Sequence, residues 1–179
     1  MAQIEDQPPP DAAVRAHRFE GDGDIPNNAL PLLVYPGAVD VSGADPAAAF
    51  ERVFASHGWS GSWRNGIFPF PHYHSTAHEV LGIARGEAKV RFGGARGEVL
   101  SVGPGDVVVI PAGVGHQNLG ASPDLLVVGA YPGGSEVDLK RGGAPERAAV
   151  ERAIAAVPLP TTDPVHGADG PLLRHWRGA

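Results

Sequence analysis

The hydrophobic and polar positions of the chain form short apolar runs, rich in β-branched and aromatic residues, with Gly- and Pro-containing turns between them. Such runs are typical of β-strands, and their regular spacing predicts a β-sandwich or β-barrel. Residues 87–92 alternate charged and apolar side chains, which indicates one solvent-facing and one buried face. The predicted strands are 14–19, 30–35, 63–67, 72–74, 79–83, 87–92, 98–102, 106–110, 116–119 and 125–131.

A helix is predicted near residues 46–57. Asp45 is a favourable N-cap, Pro46 suits the first helical position, and Gly58 is placed to end the helix. The helix should pack on the outside of the sheet, because it carries an apolar stripe at helical spacing. That stripe is formed by Phe50, Val53 and Phe54.

The 179 residues suit one domain with a substantial core. Residues 1–12, which include three consecutive prolines, are predicted to form a flexible N-terminal arm. Residues 13–135 are predicted to form a single barrel domain. Residues 136–179 are predicted to be an extension that packs on the barrel or on a partner subunit. A short helix is expected at 145–155 and a loop-like course from residue 157 onward.

Composition narrows the function classes. With 42% hydrophobic and 19% charged residues the chain is globular, and its net charge of −6 argues against nucleic-acid binding. No apolar run is long enough to span a membrane. The acidic N-terminus is unlike a signal peptide, and the absence of cysteine excludes disulfides and thiolate metal sites. We therefore expect a cytoplasmic protein.

A cluster of three histidines and a glutamate is the strongest chemical signal. His72, His74, His78 and Glu79 lie within eight residues, and imidazole is a common ligand of transition metals. In a strand, His72 and His74 would point the same way, about 6.5 Å apart, which is close enough to chelate one ion. Glu79 requires an intervening turn, which residues 75–77 can supply, and would then return on the neighbouring strand.

A fourth ligand is expected from a distant part of the chain. The β-branched run at 106–110 predicts a buried strand, and residues 111–115 predict a tight turn. His116 then follows as the first residue of the next strand. We therefore expect His116 to meet His72, His74 and Glu79.

Both segments resemble the paired motifs of the cupin superfamily. The first motif has its two glycines, His-x-His and glutamate, and the second has its glycine, Pro-x-Gly and histidine. The final asparagine position of the second motif holds Gly120 here, and an asparagine lies earlier, at Asn118. The matched positions are Gly66, His72, His74, Glu79 and Gly86, followed by Gly105, Pro111, Gly113 and His116.

Further segments resemble the YjlB-like bacterial cupins, a family without an assigned reaction. They are 27–28, 32–37, 63–66 and 166–172. The resemblance implies an all-β cupin barrel, that is, a jelly roll or double-stranded β-helix, with one or two short flanking helices. By analogy with other cupins, it also implies a homodimer.

The resemblance implies that His72, His74, Glu79 and His116 hold a metal ion. Three neutral imidazoles and one carboxylate suit Fe, Mn, Ni, Cu or Zn as a divalent ion, and the ligand type alone does not choose among them. His78 is expected to face away from the ion, in a supporting or surface role. The alternative is that His78 ligates the metal and Glu79 orients it.

Two further residues are candidate contacts of a substrate. Arg64 could bind a substrate carboxylate or pair with an acid at the barrel rim. Asn118 shares the strand face of His116, and could meet a substrate or satisfy turn backbone. His166 and His175, in the C-terminal tail, are expected to be surface histidines rather than ligands.

The leading hypothesis is a metal-dependent barrel that coordinates a small organic molecule at the ion. If it is catalytic, the resemblance implies dioxygenase chemistry at iron, or isomerisation or hydrolysis at Mn, Ni or Zn. The alternative is a binding or sensing module without turnover. A third possibility is a purely structural barrel.

Overall fold

A computed structural model describes residues 13–143 and 145–178, so the predicted arm at 1–12 lies outside the described residues. Two β-sheets face each other across an apolar interior. The larger has the strand order β1-β2-β7-β4-β9-β3 and the smaller β6-β5-β8, with antiparallel pairing throughout both. The strands are β1 (Arg15–Phe19), β2 (Asn28–Tyr35), β3 (Trp59–Asn65), β4 (Glu79–Arg85), β5 (Ala88–Phe92), β6 (Glu98–Val102), β7 (Val107–Ile110), β8 (His116–Ala121) and β9 (Leu126–Pro132).

The central strands of the larger sheet are buried on both faces. This explains their nearly continuous apolar sequences, because alternate side chains point into two different hydrophobic clusters. The inner cluster lies between the sheets and includes Leu32, Leu81, Ile83, Val108, Ile110 and Val127 from the larger sheet and Ala88, Val90 and Phe92 from the smaller. The outer cluster includes Leu33, Tyr35, Val80, Ala84, Val107, Val109 and Val128.

Helix α1 (Pro46–Ser56) covers the outer face of the larger sheet, as predicted. The Asp45 side chain accepts a hydrogen bond from the backbone of Ala48, and Gly58 follows the helix with a positive φ of 78°. A Cβ at Gly82 of β4 would lie 2.2 Å from the ring of Phe50. Glycine at this position therefore allows the helix to pack closely against β4. The predicted jelly roll with short flanking helices is confirmed.

The predicted alternation at 87–92 is also confirmed. In β5 the side chains of Ala88, Val90 and Phe92 are buried, while Lys89 is exposed and Arg91 is partly exposed. The smaller sheet therefore presents one face to the interior and one to solvent.

The C-terminal region differs from the loop-like prediction. Helix α2 (Arg147–Ala156) matches the expected short helix, but a further helix, α3 (Pro171–Arg177), lies within the segment predicted to be loop. Its Leu172, Leu173 and Trp176 enter the outer cluster, and the Trp176 indole donates to the Pro31 carbonyl over 2.9 Å. Only seven residues form this helix, so tertiary burial stabilises it rather than local propensity.

The buried carboxylate of Asp163 organises the turn before α3. The Tyr35 hydroxyl donates to it over 2.6 Å, and the backbone amides of Val165, His166 and Leu172 donate over 2.8 to 3.0 Å. The fold thus supplies four hydrogen-bond donors to a side chain that is completely buried, which offsets the cost of burying its polar atoms.

The segment around His72 also differs from expectation. His72 and Tyr73 form isolated bridges, to His116 and to Lys140, rather than a regular strand. β4 pairs with β7 and β9, so the expectation that Glu79 returns on a strand next to His72 is wrong. The pairing is set by tertiary structure, and residue spacing alone does not specify it.

In the described part of the chain, no helix is both long and apolar enough to cross a bilayer. The expected homodimer and the division of the chain at residues 12 and 135 stay predictions.

Replacing Asp163 by Asn should destabilise the fold by about 3 kcal/mol, because an amide offers one fewer acceptor and places its NH₂ against buried donors. Urea unfolding should show a lower midpoint. The exposed Asp169 in the same segment provides the matched control, Asp169→Asn, which should change the midpoint little. Equal midpoints for the two variants would contradict the assigned role.

Candidate metal centre

Two distant histidines meet through their backbones. The amide of His72 donates to the carbonyl of His116 over 3.1 Å, and the amide of His116 donates to the carbonyl of His72 over 2.9 Å. This reciprocal pair places the imidazole centroids 4.0 Å apart. His74 lies two residues further along the same segment, with its ring 5.5 Å from that of His116.

The three imidazoles share one hydrogen-bond arrangement. Each Nδ1 donates to a backbone carbonyl: His72 to Phe70, His74 to Asp138 and His116 to Val114, over 2.5 to 3.1 Å. Since a carbonyl only accepts, the proton of each neutral ring lies on Nδ1. In a neutral ring of this tautomer, Nε2 carries the lone pair. One ring nitrogen of each histidine lies within 4.8 Å of those of the other two.

Glu79, the first residue of β4, joins this group from the inner face of the larger sheet. Its Oε2 lies 3.5 Å from Nε2 of His74, and its Oε1 lies 3.4 Å from Nε2 of His116. Two atoms bound to one ion at about 2.1 Å would lie about 3.0 to 3.4 Å apart, depending on the coordination geometry. The structure thus brings together all four residues predicted as ligands.

The electrostatics favour neutral His72 beside ionised Glu79. Burial and then the neighbouring imidazole of His116 lower the pKa of His72 to about 3. Burial alone would raise the pKa of Glu79, but its contacts with the imidazoles of His116 and His74 hold it well below its usual range. For His74, burial lowers the pKa, but the neighbouring carboxylate of Glu79 and the hydrogen bond to the Asp138 carbonyl more than reverse this effect.

The donor set fits a metal ion on chemical grounds. Three Nε2 lone pairs and a buried carboxylate are all acceptors, and acceptors that face one another require a cation between them. A proton can serve one such pair, whereas a metal ion can serve all four groups. Imidazole and carboxylate together suit divalent transition metals, and do not single out one of them.

Asp138 supports His74 and was not predicted from the sequence. Besides its carbonyl contact with His74, its carboxylate accepts hydrogen bonds from the amide and hydroxyl of Ser75 and from the hydroxyl of Thr76. Burial raises the pKa of Asp138, and these bonds lower it below its ordinary value. The turn that carries His74 is therefore held by a residue 64 positions downstream.

A cavity of about 370 Å³ opens onto the histidines and Glu79. This volume is within the range of sites for small organic molecules. Its further lining includes Trp63, Ile67, Phe68, Leu81, Tyr131, Val137 and Leu139.

Tyr131 is the second residue that the sequence did not single out. Its hydroxyl accepts a hydrogen bond from the Trp63 indole over 2.8 Å and faces Glu79. Burial and then the charge of Glu79 raise the pKa of Tyr131. A Cβ at Gly129 would lie 2.2 Å from the Trp63 ring, so glycine at this position leaves room for the indole. The signal was the alternation of β9, which places Tyr131 on the face of Gly129.

His78 lies on the opposite face of the sheet from Glu79. It is 1% exposed, its ring packs at 4.8 Å from that of Trp176, and its Nδ1 accepts from the amide of Ala112. Burial lowers its pKa to about 4, although the nearby Pro158 carbonyl acts against this. It lies outside the group formed by the other three histidines.

Arg64 points away from the cavity. Its guanidinium donates to Asp45 and Glu51 on the exposed side of α1. This placement favours the alternative of an ion pair at the rim over contact with a substrate.

Asn118 bonds local backbone. Its side-chain oxygen accepts from the amide of Gly120 over 2.9 Å, and the residue does not line the cavity. Asn118 pairs in register with Val90, and the register shift of β8 lies beyond it, before Gly120. Asn118 therefore keeps the strand face of His116 but lies two residues further along the strand, outside the cavity lining. His166 is exposed and His175 is partly exposed, both outside the histidine group.

Comparison with known proteins agrees with this architecture. The profile of the Cupin domain family matches residues 64–128, the stretch that contains the three histidines and Glu79. The two-sheet jelly roll and this family match together place the chain among the cupins.

A relative that aligns over most of both chains identifies the family within the cupins. The protein YjlB of Bacillus subtilis (strain 168), described there as uncharacterised, is 46% identical over 159 residues, which cover 88% of this chain and 93% of that protein. The chain belongs to the YjlB-like family of cupins.

Solved structures match more distantly. The 11S globulin procruciferin of Brassica napus is 21% identical over 44% of this chain and 21% of its own length, with a TM-score of 0.36. An acireductone dioxygenase of Bacillus anthracis, with cadmium in its active centre, is 19% identical over 51% of this chain and 61% of its own, also at 0.36. These overlaps are partial, and neither bears on what this chain binds.

Replacing Asp138 by Asn should weaken metal binding by about 10- to 100-fold, the usual effect of losing an outer partner of a ligating histidine. The physical reason is that the turn at Ser75 and Thr76 loses a charged acceptor. The affinity for Zn(II) can be measured by competition with a chromophoric chelator.

The matched control for this change is Glu136→Gln, which alters an exposed acid in the same segment. It should leave the affinity nearly unchanged. If both variants bind zinc as tightly as the native chain, Asp138 does not position His74.

Proposed function

We propose that this cupin binds one divalent transition-metal ion through His72, His74, Glu79 and His116, and that a small organic molecule coordinates to that ion in the adjoining cavity. The observation that carries the proposal is the shared arrangement of the histidines. All three direct Nδ1 to backbone carbonyls and leave Nε2 free beside one buried carboxylate.

The bound ion would supply Lewis-acid polarisation of an oxygen-containing ligand and, with iron, redox chemistry. The cavity has the size of a small-molecule site, and the four candidate ligands line it, with His72, Glu79 and His116 buried. Dioxygenase and isomerase activities stay predictions, as does a binding or sensing role without turnover.

The chain itself supplies two functions beside the ligands. Tyr131 places a hydroxyl with a raised pKa next to Glu79, so it remains protonated at neutral pH and can donate a hydrogen bond. Trp63 fixes that hydroxyl through its indole N–H and closes one side of the cavity. Together they hold the carboxylate in place and limit the access of water.

Glu79→Ala should lower the affinity for Zn(II) by more than about 100-fold, because it removes the only charged group of the proposed ligand set. His78→Ala should retain about one zinc ion per chain, since this imidazole faces the outer cluster. Elemental analysis and a chelator competition assay measure both effects.

The unfolding temperatures of these two variants should also be measured. His78→Ala should unfold at a lower temperature, because it leaves a void beside Trp176. Loss of zinc in His78→Ala with retention in Glu79→Ala would assign the ligand role to His78 and overturn the proposed set.

Removal of the ion with a chelator should lower the unfolding temperature by about 5 to 11 °C at a metal concentration of about 100 Kd, through the loss of about 2.7 kcal/mol of binding energy. Calorimetry on metal-loaded and chelated protein measures this shift. The His72→Ala variant should show no difference between the two conditions. Identical unfolding of native protein with and without metal would favour a purely structural barrel.

A further inference from the structure

The cavity is chemically divided between its two ends. His72, His116 and Glu79 are buried at one end, whereas Phe68 and Leu139 line it with 48% and 47% of their surfaces exposed. Among the described residues, these are two of the five exposed large hydrophobic side chains. Exposed apolar side chains that border one opening are typical of a ligand-binding surface.

The side chains at the opening are held in place. Phe68 stacks on Phe70 with centroids 4.9 Å apart, and its edge meets His72 at 5.3 Å. The opposite side of the opening is the segment 137–139, which is fixed by the bonds of Asp138 to the turn at Ser75. The apolar opening is therefore part of the folded structure.

The cavity lining contains acidic but no Lys or Arg side chains among the described residues. The acidic side chains are those of Glu79 and Asp138. The nearby Arg141 places its guanidinium 3.6 Å from the ring centroid of Phe70, and neither residue lines the cavity. With Glu79 as a ligand, a divalent ion would leave a net charge near +1, which one anionic group on a ligand neutralises.

We propose that the natural ligand has a neutral or singly charged metal-binding head and an uncharged, apolar body, and that dicarboxylates and phosphorylated compounds are excluded. This inference rests on the proposed function, because the ion must be present to hold the head. A second anionic group would enter an apolar passage without a cation to receive it, and such burial is costly. An apolar body would instead pack on Ile67, Phe68 and Leu139.

Three hydroxamic acids with one common head separate these contributions. Acetohydroxamic acid carries almost no body, hexanohydroxamic acid carries an apolar chain, and the monohydroxamic acid of adipic acid has the same chain length but ends in a carboxylate. Each is titrated into Zn(II)-loaded and metal-free protein by calorimetry, with the zinc content measured before and after.

The hexano compound should bind the zinc-loaded protein more than about tenfold tighter than the aceto compound, because each buried methylene contributes about a fourfold gain. The adipic compound should bind more weakly than the hexano compound by at least about tenfold. None should bind the metal-free protein measurably.

Substitutions at the opening supply an independent test. Leu139→Lys should weaken the hexano compound and strengthen the adipic compound by about threefold or more, since it adds the missing cation. Leu119→Lys is the matched control, because Leu119 is 42% exposed and lies outside the cavity. It should change neither affinity.

The two proposals fail in different ways. If native protein takes up no zinc, or if the aceto compound does not bind the loaded protein, the proposed function is wrong and this inference falls with it. If zinc and the aceto compound bind but the adipic compound equals or exceeds the hexano compound, the proposed function stands and the ligand class is wrong.

Discussion

The reciprocal backbone hydrogen bonds between His72 and His116 are the constraint on which the site depends. They join two segments 44 positions apart through main-chain atoms alone, so this link does not depend on the side chains. The backbone then supplies carbonyls to both Nδ1 atoms from positions two residues earlier, at Phe70 and Val114. The same local geometry is thus used twice, and it turns both Nε2 atoms toward the same space.

The inner and outer clusters explain why neighbouring residues have different roles. The larger sheet is buried on both sides, so a single step along β4 moves a side chain from one environment to the other. His78 packs against Trp176 of α3, whereas Glu79 lies beside His74 and His116 in the candidate metal centre. Both are nearly fully buried, and the face of the sheet decides which neighbours each side chain contacts.

The features that could be predicted from the sequence are those that depend on local residue patterns. Motif spacing identified the four proposed ligands, strand parity separated His78 from Glu79, and the cap and stripe of α1 located that helix. The sequence did not predict the role of Asp138, because a contact across 64 residues leaves no periodic trace. Helix α3 was missed because seven residues give too short a pattern, and burial of Trp176 outweighs weak propensity. Arg64 shows a further limit, since an arginine near a motif pairs as readily with acids outside the cavity, here Glu51 of α1 and its N-cap Asp45.

The dependence of His74 on Asp138 has a consequence for the order of assembly. During synthesis, the segments that carry His72, Glu79 and His116 are complete once residue 116 has been added, but the carbonyl that orients His74 is added 22 residues later. A nascent chain that ends between these points lacks the group that fixes the third imidazole. The hydrogen bond that orients His74 can therefore form only after residue 138 has been synthesised, when all nine described strands are already present in the chain.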